Sequence, residues 1–467
     1  MKLLRTAFAF ATILFSAPAT AAETDWPRLQ RTAEGLRDQA LAGSGAYDVV
    51  ESLTTEVGPR LAGSPAGKRA ADWAAAKFKA LGFDAVSVEA FPIPAWSRGE
   101  ETAEVISPYP QPLQVTALGG SVATPPAGIE AEIAIFPSLE AMAAVPAGAL
   151  KGKIAVVVQA MPRLQDGGGY GAVTPIRRLG PSEAARKGAV AYLIRSLSTN
   201  MARLPHTGSL NYAEDAPRIP AGALSAPDAE LLTAMAKRGQ PVRIRLKLTP
   251  KPVDGGQAYT VIADIKGRER PDEMVVIGAH LDSWDLGTGA VDDGAGVAVV
   301  TSAARLIGAL PQRPRRTVRV VLWGAEEMGW SGPAFAKMHA AEVDNYVVAG
   351  ESDFGTERIV VAQFPVGAVG SPFARAFAAA MTPLRIVMSR DPAVVGGDDL
   401  APLRGIVPQF SLRPDGTTYF DLHHSADDTM DKINRNGLDQ ATAAWAAFVY
   451  LAADSDVDFR ALAKPKP

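Results

Sequence analysis

From residue 258 onward, short apolar runs alternate with segments predicted to be helical. Residues 274–279, 317–323 and 346–350 are rich in valine and other apolar residues, as is typical of strands covered on both faces of a sheet. Residues 294–310 and 332–341 are the predicted helices between them. The order strand, helix, strand, helix, strand predicts a parallel sheet with right-handed crossovers.

The earlier part of the chain has a different pattern. Residues 26–55 are predicted to be one helix, and residues 67–81 a second helix before a strand at 85–91. Between about 115 and 250, prolines cluster and short β-rich runs alternate with turns, so an inserted β-rich domain is expected there. The fold is therefore expected to be α/β, with a mostly parallel sheet flanked by helices. The predicted parts are the first part of the main domain at 23–114, the insertion at 115–250 and the second part of the main domain at 251–467.

Residues 1–22 have the pattern of a secretory signal peptide. Lys2 and Arg5 precede an apolar run at 7–15, and small residues follow up to Ala22. The apolar run is too short to span a bilayer. We therefore expect cleavage after Ala21 or Ala22 and a secreted or periplasmic protein.

Composition excludes several classes of protein. The 467-residue chain has a formal net charge of −3 and no lysine- or arginine-rich block, so nucleic acid and anionic membranes are not expected partners. It contains no cysteine, which excludes disulfides, thiolate metal sites and a cysteine nucleophile. No Gly-x-Ser-x-Gly motif occurs with a plausible histidine and acid, so serine catalysis is not favoured. Any metal must be held by His, Asp and Glu.

Acidic residues and a histidine follow the predicted strands at their carboxyl ends. Such ends meet at one edge of an open parallel sheet, where functional groups usually lie. A glycine-rich turn before the helix at 294–310 adds further acids, and a late loop adds two histidines. The residues are His280 and Asp282 after the first strand, Asp292 and Asp293 in the turn, Glu326 and Glu327 after the second strand, Asp353 after the third, and His423 and His424 in the loop.

Each of these groups also has an ordinary structural explanation. His280 would be a loop histidine, Asp292 or Asp293 would cap a helix, and the paired glutamates would begin one. It is improbable that all these explanations hold at once, so we favour a metal site built from histidine and carboxylate ligands. Such a site suits zinc, with manganese or cobalt as substitutes.

The spacing of the acids suggests separate roles. Asp282 lies two residues after His280 in an extended chain, so its carboxylate is expected to face and orient the imidazole. Glu326 and Glu327 are adjacent and project in different directions. One can therefore bind a metal while the other faces the attacking water. We assign Glu327 as the ligand and Glu326 as the general base.

Several of these motifs resemble the M28 family of metallopeptidases in order and spacing. They are His280-Leu281-Asp282, the turn at 292–296, Glu326-Glu327, Asp353 and the segment at 424–429. Within the family, the chain is similar to the carboxypeptidase Q branch, notably at 351–353 and in the paired histidines. The resemblance spans most of the chain after the leader, and region 115–250 resembles the family's protease-associated insertion.

The resemblance implies two zinc ions per chain. The implied ligands are His280 and Asp353 for one ion, Glu327 and His424 for the other, and Asp292 as the bridge. Glu326 is then the general base. His424 is preferred to His423 because the family's ligand directly precedes Ser or Thr and lies four residues before an aspartate, here Asp428. Family members often have a cis peptide bond after the bridging aspartate, and the same is expected here.

The implied activity is that of a zinc-dependent exopeptidase acting on dipeptides or short peptides, as a carboxypeptidase. An aminopeptidase of the same family, a one-zinc glutaminyl cyclase and a non-catalytic binding protein are the alternatives, and the complete ligand set argues against the last two. The resemblance also suggests a homodimer. Arg413 is a candidate for contact with a substrate carboxylate, with an ordinary surface arginine as the equal alternative. His206 is expected to be a surface or loop histidine, and His339 an exposed or capping one.

Overall fold

The computed structural model describes residues 24–393 and 395–464, and the predicted signal peptide lies outside them. Within these residues, no helix combines the length and the apolar character needed to cross a membrane. The helices are α1 (Trp26–Gly43), α2 (Ala46–Glu56), α3 (Pro65–Ala80), α4 (Leu139–Ala143), α5 (Gly168–Arg186), α6 (Ala226–Ala236), α7 (Ala295–Gly308), α8 (Ser331–Met338), α9 (Pro372–Met381), α10 (Arg435–Asp454) and α11 (Phe459–Leu462).

Most strands belong to two sheets, which we call the main sheet and the inserted sheet. The strands are β1 (Ala85–Pro92), β2 (Ala95–Ser97), β3 (Glu101–Ser107), β4 (Gln111–Leu113), β5 (Val115–Ala117), β6 (Ile129–Phe136), β7 (Ile154–Val157), β8 (Ala191–Arg195), β9 (Ala221–Leu224), β10 (Arg243–Leu248), β11 (Lys251–Val253), β12 (Gln257–Ile265), β13 (Arg270–His280), β14 (Arg316–Trp323), β15 (Tyr346–Glu351), β16 (Ile359–Gln363), β17 (Val387–Met388) and β18 (Ser411–Pro414).

The main sheet has five strands in the order β1-β12-β14-β13-β15. β13 is parallel to β14 and β15, as predicted, but β12 is antiparallel to both β1 and β14. The sheet is therefore mixed. The prediction of a mostly parallel sheet is wrong for the half formed by β1, β12 and β14. Only residues 266–269 join β12 to β13. A parallel crossover needs a dozen or more residues, so β12 must run in the opposite direction.

The inserted sheet has eight strands in the order β4-β3-β10-β6-β7-β8-β9-β5. It begins at Glu101, so β3 and β4 precede the predicted boundary at 115. The region also contains α4, α5 and α6, and β6 to β9 pair in parallel, so it is α/β in character and not only β-rich. β2 and β11 pair where the chain enters and leaves this region.

The predicted helix at 26–55 is two helices. α1 ends at Gly43 and α2 begins at Ala46, and between them Gly43 and Gly45 have φ angles of 143° and 77°. Glycine adopts such angles readily and other residues do not, so a continuous helix is broken here. α1 then packs along α10 and α2 along α7.

Helix α10 lies at the centre of the core, with 17 of its 20 residues buried. A helix that is apolar on all sides must be enclosed, and α1, α7 and α9 pack around it. The Phe448 ring lies 4.0 Å from the ring of Phe410 and 5.0 Å from that of Phe373, centroid to centroid. Because α7 starts directly after the turn Ala290–Gly294, this packing positions the turn that carries Asp292.

We expect Phe448→Ala to lower the free energy of unfolding by about 3–5 kcal/mol, because it removes a buried ring from a packed aromatic cluster. Urea denaturation followed by circular dichroism measures the change. The control is Leu164→Ala, at a side chain that is 47% exposed, and its effect should stay within about 0.5 kcal/mol. Equal stability of the two variants would contradict the central role of this cluster.

Candidate metal centre

Three parallel strands bring the predicted site residues to one edge of the main sheet. In the sheet register, the last residue of β13 pairs with the last residue of β14, and Gly278 of β13 pairs with the last residue of β15. The segments that leave these strands therefore start side by side. They carry His280 at the end of β13, Glu326 and Glu327 after β14, and Asp353 after β15.

Asp292 lies between two histidines. The peptide bond from Asp292 to Asp293 is cis, as the resemblance implied. Asp292 Oδ1 lies 3.1 Å from His280 Nε2, and Asp353 Oδ1 lies 3.5 Å from the same nitrogen. Asp292 Oδ2 lies 3.4 Å from His424 Nε2. One carboxylate thus has one oxygen near each of two imidazoles.

The second histidine also faces a glutamate. His424 Nε2 lies 2.9 Å from Glu327 Oε2. His423 stacks on His424 with ring centroids 3.5 Å apart, and its Nε2 lies 3.8 Å from Asp292 Oδ2. Among the described residues, Glu327 has His424 as its ion-pair partner and not His423. This geometry supports the choice of His424 as the metal ligand.

The spacing of these atoms fits metal coordination. In a tetrahedral site with bonds of about 2.0–2.1 Å, neighbouring ligand atoms lie about 3.3 Å apart. The separations here are 3.1, 3.5, 3.4 and 2.9 Å. Asp292 Oδ2 and Glu327 Oε1 are buried and have no hydrogen-bond donor among the described residues. Buried carboxylate oxygens normally have a partner, so these two fit a cation.

The Asp282 carboxylate lies near the His280 imidazole, as predicted, but makes no direct hydrogen bond with it. Asp282 Oδ1 is 3.7 Å from His280 Nδ1, too far for a hydrogen bond, and the ring nitrogen instead faces the main-chain oxygen of Asp282 at 3.0 Å. The carboxylate accepts a hydrogen bond from the main-chain N–H of Glu326 at 3.0 Å. Asp282 therefore contacts the imidazole through its backbone and holds the Glu326 backbone through its side chain.

Burial and crowded carboxylates shift the pKa values of the site. Burial raises the pKa of Glu326 and of Glu327 well above the usual range, and neighbouring acids add to the effect. Burial alone would lower the pKa of His280, but the carboxylates around it, Asp353 foremost, raise it well above its usual value. Burial holds the pKa of His424 well below its usual value.

The site opens into a cavity of about 360 Å³. This volume is near the lower end of the range for small-molecule sites, about 300–1,000 Å³. Segments that follow strands of the main sheet supply Glu326 and Asp353 to its wall, β18 supplies Arg413, and α5 of the inserted region supplies Tyr170 and Arg178. The cavity therefore lies between the two parts of the chain and suits a small ligand.

Comparison with known proteins identifies the family. The sequence model of Peptidase family M28 matches residues 260–449. Carboxypeptidase Q of Bos taurus is 35% identical over 417 residues, which cover 88% of this chain and 86% of the bovine protein. The chain belongs to peptidase family M28. Its similarity to a carboxypeptidase and to aminopeptidases of this family makes it a metallo-exopeptidase.

Solved structures agree with the family assignment. The crystal structure of a peptidase M28 precursor from Shewanella amazonensis SB2B has a TM-score of 0.91 and 46% identity, and the match covers 95% of this chain and 100% of that one. A zinc aminopeptidase from Bacillus subtilis has a TM-score of 0.61 and 23% identity, with 89% of this chain and 98% of that chain covered. The second likeness concerns the fold alone.

Two residues that contact the site in this M28 peptidase were not assigned a role from the sequence. Tyr419 donates a hydrogen bond from its hydroxyl to Asp292 Oδ1 at 3.0 Å. Asp428, which served only to choose between the histidines, accepts a hydrogen bond from the main-chain N–H of Val291 at 2.6 Å and so fixes the turn. The sequence feature that could have pointed to these two residues is the dense run of aromatic and acidic residues at 419–429.

Two histidines outside the predicted site, one expected to be a surface or loop histidine and the other an exposed or capping one, are buried. His206 is 1% exposed, and its Nδ1 lies 2.6 Å from the main-chain oxygen of His423. His339 is 8% exposed, with ring nitrogens 2.9 Å from Glu89 and 3.4 Å from Glu342. His206 lies in a loop and His339 is the C-cap residue of α8, so those alternatives are confirmed. An exposed position is wrong for both rings, since the His423 carbonyl and Glu89 reach them from distant segments of the chain.

A buried arginine holds the segment between β13 and the Asp292 turn. Arg60 is fully buried, and its guanidinium donates hydrogen bonds to the main-chain carbonyls of Leu281, Thr288 and Gly289, the last two at 2.7 and 2.8 Å. These carbonyls belong to residues 281–289, which connect two predicted metal ligands. Arg60 therefore couples the amino-terminal part of the M28 peptidase to its candidate metal centre.

We expect Arg60→Met to lower the free energy of unfolding by about 3–5 kcal/mol, since three buried carbonyls lose their donor and nearby buried acids lose a counter-charge. Thermal denaturation and chemical denaturation measure the effect. Arg31→Met, at an exposed arginine of α1, is the matched control and should leave stability nearly unchanged. A stable Arg60→Met variant would show that the 281–289 segment holds its shape without the guanidinium.

Proposed function

We propose that this M28 peptidase is a two-zinc exopeptidase that hydrolyses dipeptides or short peptides, with carboxypeptidase activity as the favoured form. The observation that carries the proposal is the position of Asp292, whose two oxygens lie near two different histidines. Similarity to carboxypeptidase Q supports a carboxypeptidase acting on peptides. The leader pattern at 1–22 supports action outside the cytoplasm.

The two donor groups would hold one zinc ion each. His280 and Asp353 belong to one position, Glu327 and His424 to the other, and Asp292 to both. All the donor atoms are imidazole nitrogens and carboxylate oxygens, which zinc accepts. When bound, the zinc ions polarise the scissile carbonyl and lower the pKa of the attacking water.

Glu326 is the residue that accepts the proton of that water. It lines the cavity beside Glu327, and Asp282 holds its backbone. Its carboxylate has no hydrogen bond within the described residues, so its oxygens are free for the water. Burial raises its pKa above that of a free glutamate, and a base whose pKa is closer to neutral works better near pH 7. The same carboxyl group then returns the proton to the leaving amine.

Two arginines favour a substrate with a free carboxylate. Arg178 of α5 and Arg413 of β18 both line the cavity, and neither has an ion pair or a side-chain hydrogen bond within the described residues. Arg413 Nε is in addition buried. A guanidinium binds a carboxylate through two parallel hydrogen bonds. This unpaired positive charge supports a carboxypeptidase.

An aminopeptidase is the second candidate, because one oxygen of a cavity glutamate outside the proposed ligand set lacks a donor. Glu351 lines the cavity, and its Oε1 is buried without a hydrogen-bond donor among the described residues. Burial raises the pKa of Glu351 well above its usual range. A free α-amino group would supply the missing donor. A dipeptide with both ends free would satisfy Glu351 and the arginines together.

We expect Glu326→Gln to lower kcat by about 10²–10⁴-fold with zinc content unchanged, because an amide cannot accept the proton. The mature protein with zinc is assayed on unblocked, N-acetylated and C-amidated dipeptides, and zinc is measured by mass spectrometry. Glu214→Gln, at an exposed glutamate outside the cavity, is the control and should keep the wild-type rate. Cleavage of amidated but not acetylated dipeptides would assign an aminopeptidase. No cleavage with two zinc ions bound would refute the substrate class.

We expect Arg413→Ala to raise KM for unblocked dipeptides by about ten- to a hundredfold, the loss of a hydrogen bond to a charged group being worth about 1.5–3 kcal/mol. C-amidated dipeptides, tested as substrates or as competitive inhibitors, should be unaffected. Arg413→Lys should recover part of the loss, and Arg238→Ala, at an exposed arginine, is the control. Equal losses for free and amidated peptides would contradict a carboxylate contact.

A further inference from the structure

A loop of the inserted sheet holds the backbone that carries His424. We call residues 198–207, which lie between β8 and β9, the clamp loop. Four main-chain carbonyls of the segment 420–424 accept hydrogen bonds from it. The donors are Thr199 N–H and Ser198 O–H to Phe420 at 3.2 and 3.0 Å, the Asn200 side-chain amide to Asp421, the His206 ring to His423 at 2.6 Å, and Thr207 N–H to His424 at 2.9 Å.

An ion pair strengthens the same contact. Arg163 forms two hydrogen bonds with the Asp421 carboxylate, Nη1 to Oδ2 at 2.8 Å and Nη2 to Oδ1 at 2.7 Å. Arg163 also donates to the main-chain oxygen of Thr199 at 2.9 Å, and the Thr199 hydroxyl donates to Asp421 at 2.7 Å. The clamp loop, Arg163 and the segment 420–424 therefore form one connected network.

His424 has a backbone conformation that needs such support. Its φ angle is 60°, in the left-handed region. This conformation costs a non-glycine residue roughly 1–2 kcal/mol, and it persists where surrounding contacts impose it. Thr207 contacts this residue twice, through its N–H to the His424 carbonyl and through its own carbonyl, which lies 3.3 Å from His424 Nδ1. A metal-binding histidine usually donates its second ring N–H to such a carbonyl.

Within the clamp loop, the His206 ring contacts the residue that precedes this ligand, while Arg177 Nη1 of α5 lies 3.4 Å from His424 Nδ1 itself. Burial lowers the pKa of His206 to about 4, so its ring is neutral at pH 7 and carries a single N–H. Because a carbonyl oxygen only accepts, the 2.6 Å contact with the His423 oxygen places that hydrogen on Nδ1. The backbone N–H of His206 donates to Ser196 Oγ at 2.8 Å. This hydrogen bond fixes the main chain from which the imidazole projects.

We propose that His206 is a positioning residue for the zinc position formed by Glu327 and His424, and that the inserted sheet thereby forms part of the metal centre. The proposal rests on the zinc-binding role proposed for His424. The other position, formed by His280 and Asp353, comes from the main sheet and does not depend on His206.

Two background variants separate the two zinc positions. Asp353→Ala leaves the position that contains His424, and His424→Ala leaves the other one. In the Asp353→Ala chain, adding His206→Leu should weaken zinc binding by about 10–100-fold, because a partner that orients a metal ligand is lost. In the His424→Ala chain, the same addition should change nothing. Zinc affinity is measured by competition with a chromophoric chelator and needs no peptide hydrolysis.

Two further substitutions at position 206 test the hydrogen bond itself. His206→Asn places an amide N–H near the Nδ1 position and should keep most of the zinc affinity. His206→Gln extends its amide toward the Nε2 position and should not. If His206→Leu does not fold, the difference in zinc affinity between the Asn and Gln variants tests the proposal instead. The matched control is His339→Leu, at a buried histidine that does not line the cavity, and it should leave zinc binding unchanged.

Equal weakening at both zinc positions, no weakening in the Asp353→Ala chain, or equal affinities of the Asn and Gln variants would overturn the proposal. Zinc binding by the Asp353→Ala chain that persists after His424→Ala is added would overturn it as well. A chain that binds two zinc ions, shows the expected loss with His206→Leu and cleaves no peptide would refute the proposed function alone. The two failures are therefore distinguishable.

Discussion

A group of buried carboxylates at the edge of the main sheet is the constraint on which the site depends. Glu327 lies near Asp292 and Glu326 lies near Asp353 and Asp399, and an unpaired buried charge costs several kcal/mol. Burial raises the pKa of Asp399 to about 8 and, behind the turn, that of Asp428 to about 7. Protons or cations must neutralise such a group. Arg60 supplies one fixed positive charge, and two zinc ions would supply most of the remainder.

The part of the site that could be predicted from sequence is the part encoded in consecutive residues. The apolar strands β13, β14 and β15 end at or within three residues before His280, Glu326 and Asp353, so strand order and the rule for parallel sheets suffice to bring these side chains together. The Asp292 turn could be predicted for a similar reason, since glycines and a helix start flank it. Local pattern determines the position of each group, and parallel pairing brings the groups to one edge.

The features that were predicted wrongly depend on contacts between distant segments. The direction of β12 follows from the short connection at 266–269, which a strand-by-strand interpretation does not weigh. The Asp282 carboxylate lies near the imidazole, as predicted, but its hydrogen bond with the Glu326 backbone and the contact between the imidazole and the Asp282 main-chain oxygen were not predicted. His206 contacts a carbonyl 217 residues away, and nothing in its own neighbourhood in the sequence indicates that partner.

The inserted sheet contributes to both proposed tasks of the cavity. Its helix α5 supplies Arg178, and its clamp loop holds the segment that carries His424, while Arg413 comes from the other side. A rigid movement of the inserted sheet would therefore disturb a metal ligand and a substrate contact together. Because the hydrogen bonds to the segment 420–424 oppose such movement, related enzymes that keep the same ligands would have to change specificity through cavity side chains such as Arg178, Arg413 and Glu351. This is a physical reason to look for specificity in the cavity side chains and not in the proposed metal ligands.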